Sequence, residues 1–214
     1  ELEATEVKSK SRNVYFAFNP KLRMFSQQKV ELTAQSKSGE FLINQGQANG
    51  KSEFILKGNG FEAIGEDWQW QNSAKDGSNQ MIFNRKGTVI FTHGLGGFFV
   101  YSDTKYETAC SPVAEDHNET RESTKLLPTV ARADYMEFLG TGETTHRFLL
   151  IGKVSVEGSN LFLTCDKMEV LFNKEDNSTE VKIGKISSME AGGNVFLKQS
   201  GRTSRGDRMT MDVK

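Results

Sequence analysis

The run Gly152–Asn173, GKVSVEGSNLFLTCDKMEVLFN, decides the fold class. Val154 and Val156 alternate with Lys153, Ser155 and Glu157. Leu161 and Leu163 follow in the same rhythm, and Met168, Val170 and Phe172 alternate with Lys167 and Glu169. A period of two marks a strand with one packed face. Between the first two strands lies Gly158-Ser159-Asn160, of the residue types that supply the positive φ of hairpin turns.

Working outward, the same rhythm recurs on both sides. Upstream it is carried by Val14–Phe18, Lys29–Thr33, Glu53–Leu56, Asp67–Trp70, Met81–Phe83 and Thr88–Thr92. Downstream it is carried by Val181–Ile183, Asn194–Leu197 and Arg208–Val213. Turn-forming clusters separate the runs: Gly58-Asn59-Gly60, Asp76–Asn79, Gly94–Gly97, Asp176–Ser178 and Gly192-Gly193-Asn194. Strands spaced about 8 to 12 residues apart predict an all-β sandwich, roll or barrel. The best helical stretch, Val130–Phe138 (VARADYMEF), also permits a strand.

Composition bounds the function. Lys plus Arg is 27 and Asp plus Glu is 28 among 214 residues, a balance that argues against a broad nucleic-acid or anionic-membrane surface. Fifteen Phe are too many for a disordered chain. Three isolated His (His93, His117, His146) argue against a clustered-histidine metal or catalytic centre. No apolar run approaches the roughly 20 residues of a membrane helix. Gly94–Gly97 after His93 lacks the strand-to-helix context of a phosphate loop. The carboxylates Glu115 and Asp116 have no evident partner, and the expectation is of no enzyme and no cofactor. Cys110 and Cys165 permit one disulfide or two free thiols.

Residues 111–128, SPVAEDHNETRESTKLLP, are polar and hold two of the three Pro. Pro is excluded from central strands, so this segment reads as a loop or insertion. It separates an N-terminal β part, 1–110, from a C-terminal β part, 129–214, which together are two domains or one continuous sheet.

Three phrases repeat: Gly87-Thr88-Val89-Ile90-Phe91, Gly152-Lys153-Val154-Ser155-Val156 and Gly193-Asn194-Val195-Phe196-Leu197. Such a repeat predicts hairpins stacked side by side. With Ala131–Gly140 (ARADYMEFLG) and Ile183–Lys214, these phrases resemble the OstA-like (LptA/LptC-type) periplasmic lipopolysaccharide-transport family. Leu56–Trp70 is similar to that pathway's membrane-anchored subunit, more loosely. Gly206-Asp207-Arg208-Met209 departs from the family's small residues and Tyr.

The resemblance implies an open, V-shaped β-jellyroll whose hydrophobic trough carries the acyl chains of lipopolysaccharide or a related glycolipid. It implies a periplasmic location, with an export signal or membrane anchor expected upstream of Glu1. It also implies edge-strand pairing with other bridge subunits and possible head-to-tail self-association. The candidates to line the trough are Val89, Phe91, Val154, Val156, Leu161, Leu163, Met168, Val170, Phe172, Ile183, Val195 and Leu197. The same residues suit a closed sandwich core equally well. Met209, Met211 and Val213 mark a clean edge strand, and Val14–Phe18 another. Lys198, Arg202, Arg205 and Arg208 suit either a phosphate-binding rim or a solvated hairpin tip. Trp68 and Trp70 share a facing. The rival functions are a structural or adhesive β-repeat protein and a β-sandwich carbohydrate-binding module.

Overall fold

The computed structural model describes residues 1–26, 29–58, 60–73, 78–92, 128–141, 145–174 and 183–212. Its strands are β1 (Leu2–Glu3), β2 (Glu6–Ser11), β3 (Val14–Phe18), β4 (Lys21–Ser26), β5 (Lys29–Ser36), β6 (Ser38–Leu42), β7 (Gln47–Gly50), β8 (Phe54–Gly58), β9 (Phe61–Asn72), β10 (Asn79–Phe91), β11 (Thr129–Ala133), β12 (Tyr135–Thr141), β13 (Thr145–Gly158), β14 (Leu161–Lys174), β15 (Ile183–Gln199) and β16 (Arg202–Asp212). All belong to one sixteen-stranded antiparallel sheet, the all-β jellyroll-like fold. Among the described residues the sole helical element is the 3-10 turn Ile43–Gln45. Val130–Phe138 forms β11 and β12 rather than a helix, with Val89 opposite Ala131 and Met81 opposite Phe138.

The registers reveal a simple plan. Each long strand runs through two half-sheets and bends between them. Residues 61–65 of β9 pair with β8, while residues 68–71 pair with β7. Residues 79–83 of β10 pair with β12, and residues 87–91 with β11. Shorter strands do the same in tandem: β3 continues into β4, β5 into β6, and β11 into β12. The first layer thus contains β1, β4, β5, β8, β11 and the matching halves of the long strands. The second contains β2, β3, β6, β7, β12 and the other halves.

The bends fall on the repeated phrases. Positive φ occurs at Lys86 just before Gly87, at Gly152 and Lys153, and at Gly193 and Asn194. The pairing register slips at the same places, between Arg85 and Thr88, Ile151 and Val154, and Gly192 and Val195. A β-bulge increases twist and bends its strand. The expectation that Gly192-Gly193-Asn194 separates two strands is therefore corrected. Its positive φ bends β15 without reversing it, so the repeat marks corners within hairpins rather than their starts. At Gly193, φ is 74°, and a Cβ would crowd the Asp166 side chain, so a larger residue is disfavoured by the backbone and by its neighbour.

Polar contacts stitch the corner from strand to strand. Asn19 N–H donates to the Lys37 carbonyl at 2.9 Å, and Lys51 pairs with Asp67 at 2.5 Å. Lys86 pairs with Glu66 at 2.8 Å, and that hydrogen bond holds the Glu66 carboxyl below its usual range. Asp134 N–H donates to the Gly152 carbonyl at 2.9 Å, and Asn194 Nδ2 to Asp166 Oδ2 at 2.8 Å.

Candidate functional site: the interior between the two layers

Aromatic rings bridge the layers. Phe61 and Phe91 come from the first layer, and Phe138, Phe148 and Phe172 from the second. Phe91 stacks on Phe172 at 5.5 Å, and Phe61 meets Phe148 edge-on at 5.0 Å. Phe54 lies 4.4 Å from Trp68 in the same way. Offset and edge-to-face pairs at such separations are the favoured aromatic geometries.

The in-facing assignments from the period of two fit this interior. Val89, Phe91, Val154, Val156, Leu161, Leu163, Met168, Val170, Phe172 and Val195 all belong to the core and are at most 5% exposed. Leu197 is partly buried and packs against them. Ile183 pairs with Lys174 at the far end of β15. Along the middle of the sheet these side chains fill the space between the layers and are packed ring to ring. Much of the rest of the core had no place among the sequence candidates: Phe61, Phe83, Phe138, Phe148 and Leu150. For Phe138 the missed signal was the alternation Met136-Glu137-Phe138, obscured by the helical reading.

The filling thins toward both ends. In the outermost strands of the N-terminal end, β1 to β4, the in-facing positions are small or partly exposed. Ala17 is buried, while Leu2 stays 40% and Val7 55% exposed, although each sits opposite an in-facing residue, Leu22 and Ala17 respectively. At the other end Met209 and Met211 pack partly on the core opposite Ala191 and Met189.

Trp68 and Trp70 lie on the inner face of β9 at the deep end of the N-terminal mouth, as their shared facing predicts. Gly39 and Gly50 leave room for the Trp68 indole: a Cβ on either would lie within 2.9 Å of its ring. Neither indole Nε1 has a hydrogen-bond partner among the described residues, and both atoms are buried. A buried N–H without an acceptor costs roughly 1–3 kcal/mol. Both rings border a small apolar void lined by Pro20, Leu22, Ala34, Phe41, Ala48 and Phe54.

Cys165 is buried in the interior beside the corner, and burial pushes its thiol up to about 11. Cys110 lies outside the described residues, as do Val181, Val213, His93, the Gly94–Gly97 turn, Glu115, Asp116 and His117. His146 is buried in the second layer, its ring 5.5 Å from that of Phe138. The C-terminal basic residues do not converge on a rim. Arg208 pairs with Glu190 at 2.9 Å, Arg205 lies over the Phe196 ring at 5.3 Å, and Arg202 sits exposed at the hairpin end.

On the outer face of the second layer, Glu137 accepts from Arg147 Nη2 at 3.0 Å, from Gln80 Nε2 at 3.2 Å and from the Tyr135 hydroxyl at 3.3 Å. Burial, then the Glu137 charge, raises the Tyr135 phenol above its usual range. Among the described residues, no group of three or more His, Cys, Asp or Glu is arranged to hold a metal.

Among the described residues both lateral edges of the sheet lack a further partner. β16 pairs with β15 alone, and β1 and β2 pair with β4 and β3 alone. No protein-family model matches the chain, no curated protein matches it, and no solved structure matches it.

Proposed function

We propose that this chain carries the acyl chains of a glycolipid, lipopolysaccharide or a relative, between its two layers, and passes them along a periplasmic bridge. The observation that carries this reading is the N-terminal mouth. There the otherwise packed interior ends in exposed in-facing Leu2 and Val7, with Trp68 and Trp70 deeper in, their indole donors without acceptors among the described residues. An acyl chain covers the apolar residues, each methylene contributing roughly 0.8 kcal/mol. The sugar stays in water. Such carriage requires no reaction at the site.

The edges that lack a partner among the described residues suit the bridge. An unpaired strand is a template for β-augmentation, and joining the first edge of one copy to the last edge of another gives a heterologous contact that need not close. Transport subunits of the same architecture fit those edges as well as a second copy does.

The test uses the chain's two tryptophans, both in this mouth. Lipid A with bromine on its acyl chains is titrated while tryptophan fluorescence is read, in the parent chain and in Trp68→Phe and Trp70→Phe. Saturable quenching of both indoles is expected. Quenching no stronger than that of a free tryptophan amide refutes the reading. A second reading, a structural β protein with no ligand, is favoured by the tight packing of the middle of the interior. It predicts no quenching and no lipid in native mass spectra.

A further inference from the structure

The outer face of the second layer carries a feature the interior reading does not use. Where β7, β9 and β10 lie side by side, the registers bring five carboxamides together in two rows. Asn49 is opposite Gln69, and Gln47 is opposite Gln71, which is opposite Gln80. Ile82 completes the first row opposite Gln69. These residues line an open concavity of about 240 Å³. In a chain whose residues are 26% charged, six adjacent outward positions hold no charge.

The surrounding charges are already engaged. Lys51 at one end is paired with Asp67, and Glu137 at the other accepts from Arg147 and from Gln80. The side chains of Gln47, Asn49, Gln69 and Gln71 make no hydrogen bond among the described residues. Each carboxamide offers two donors and an acceptor. Adjacent strands stand about 4.8 Å apart, so the patch presents donors and acceptors at regular steps across its width.

We propose that this hollow binds a neutral glycan chain. Vicinal hydroxyls donate and accept together, which is what a carboxamide complements. Ile82 provides an apolar floor for the C–H face of a sugar ring. Anions and nucleic acids need uncompensated cations, which the hollow lacks. A peptide strand adding by main-chain pairing needs a sheet edge, and β9 is paired on both sides. The five carboxamides and Ile82 lie on the opposite face of the sheet from the lipid mouth, although Trp68 and Trp70 of β9 also border the hollow.

The experiment is a titration of the ¹⁵N-labelled chain with maltohexaose, cellohexaose and chitohexaose, following the side-chain NH₂ signals by NMR. Saturable shifts of the Gln69 and Gln71 amides with at least one of the three are expected. Gln69→Ala/Gln71→Ala should weaken that binding about tenfold or more. Both positions are exposed, so the thermal melt of the variant should match the parent, which separates lost binding from lost folding. Three results overturn the proposal: no saturable shift with any of the three, shifts confined to other residues, or binding unchanged in the double variant. Preferential binding of heparin over the neutral sugars also overturns it.

Discussion

Replacing Phe148 by Ala tests whether the two layers are packed together or stand apart as an open trough. Phe148 is 0% exposed on β13 and meets four rings. Phe138 at 4.9 Å and Phe172 at 5.8 Å belong to its own layer, and Phe61 at 5.0 Å and Phe91 at 5.6 Å to the facing one. Removing a fully buried Phe from a packed core costs roughly 3–5 kcal/mol, transfer and cavity combined. With partners on both sides of the interior the upper half of that range is expected, about 4 kcal/mol. For a domain of this size that is a fall in melting temperature of roughly 8–16 °C. With a urea slope of about 2 kcal/mol/M it is a midpoint shift of about 2 M. Far-UV circular dichroism in a urea series reads it directly. Phe162→Ala is the control: Phe162 is 37% exposed on the outer face, and a loss within about 1 kcal/mol is expected. If water already wets the interior, no cavity forms, and Phe148→Ala should cost about as little as the control. A midpoint shift below roughly 0.5 M would refute the packed interior.

Two further outcomes are expected. The Cys165 thiol is raised to about 11, mainly by burial, above an unfolded value of about 8.5. Stability from keeping it neutral is full below the unfolded value and is lost as pH rises from there through about 11. Urea midpoints should therefore fall over that alkaline window, and Cys165→Ala should make the fall shallower; an unchanged slope would count against the burial. The outer edge of β16, without a partner among the described residues, should support association that grows with concentration in light scattering. Neighbouring N–H groups point to opposite sides of a strand, so Thr210→Pro and Met211→Pro together sample the donor facing β15 and the one facing outward. The substitution that keeps the thermal melt should abolish association, and association that survives both would show that β16 is not the joint.

Much of the inner face was legible in the residues. Alternation needs only local pleating, so Val154 shares a side with Val156, Leu161 with Leu163, and Met168 with Val170 and Phe172, without knowing what they meet. That Leu163 and Val170, an odd number of positions apart on β14, both turn inward depends on the irregularity between Thr164 and Lys167. The Gly-x-Val phrases were likewise visible at residues 87, 152 and 193. Their meaning was not. A residue with positive φ can reverse a strand or bend it, and the choice depends on which neighbour the next residues pair with. In β15 residues on both sides of Gly193-Asn194 keep the same partners, β14 and β16, so the chain bends. Val130–Phe138 was ambiguous for the same reason: its small residues fit either period until β10 and β13 flank it on both sides.

Candidate-site geometry lay further from view. The sequence determined which residues share a face within each short run, because that follows from a period of two, while the bends decided how one run's face joins the next. Tertiary structure alone decided that Phe91 of one layer stacks on Phe172 of the other, that two indoles have no acceptor among the described residues, and that Asn49, Gln69, Gln71 and Gln80 share one hollow. Each of these joins residues far apart in the chain. Their meeting is set by register and by the bend of the sheet, and a one-residue slip would turn every one of those side chains to the opposite face.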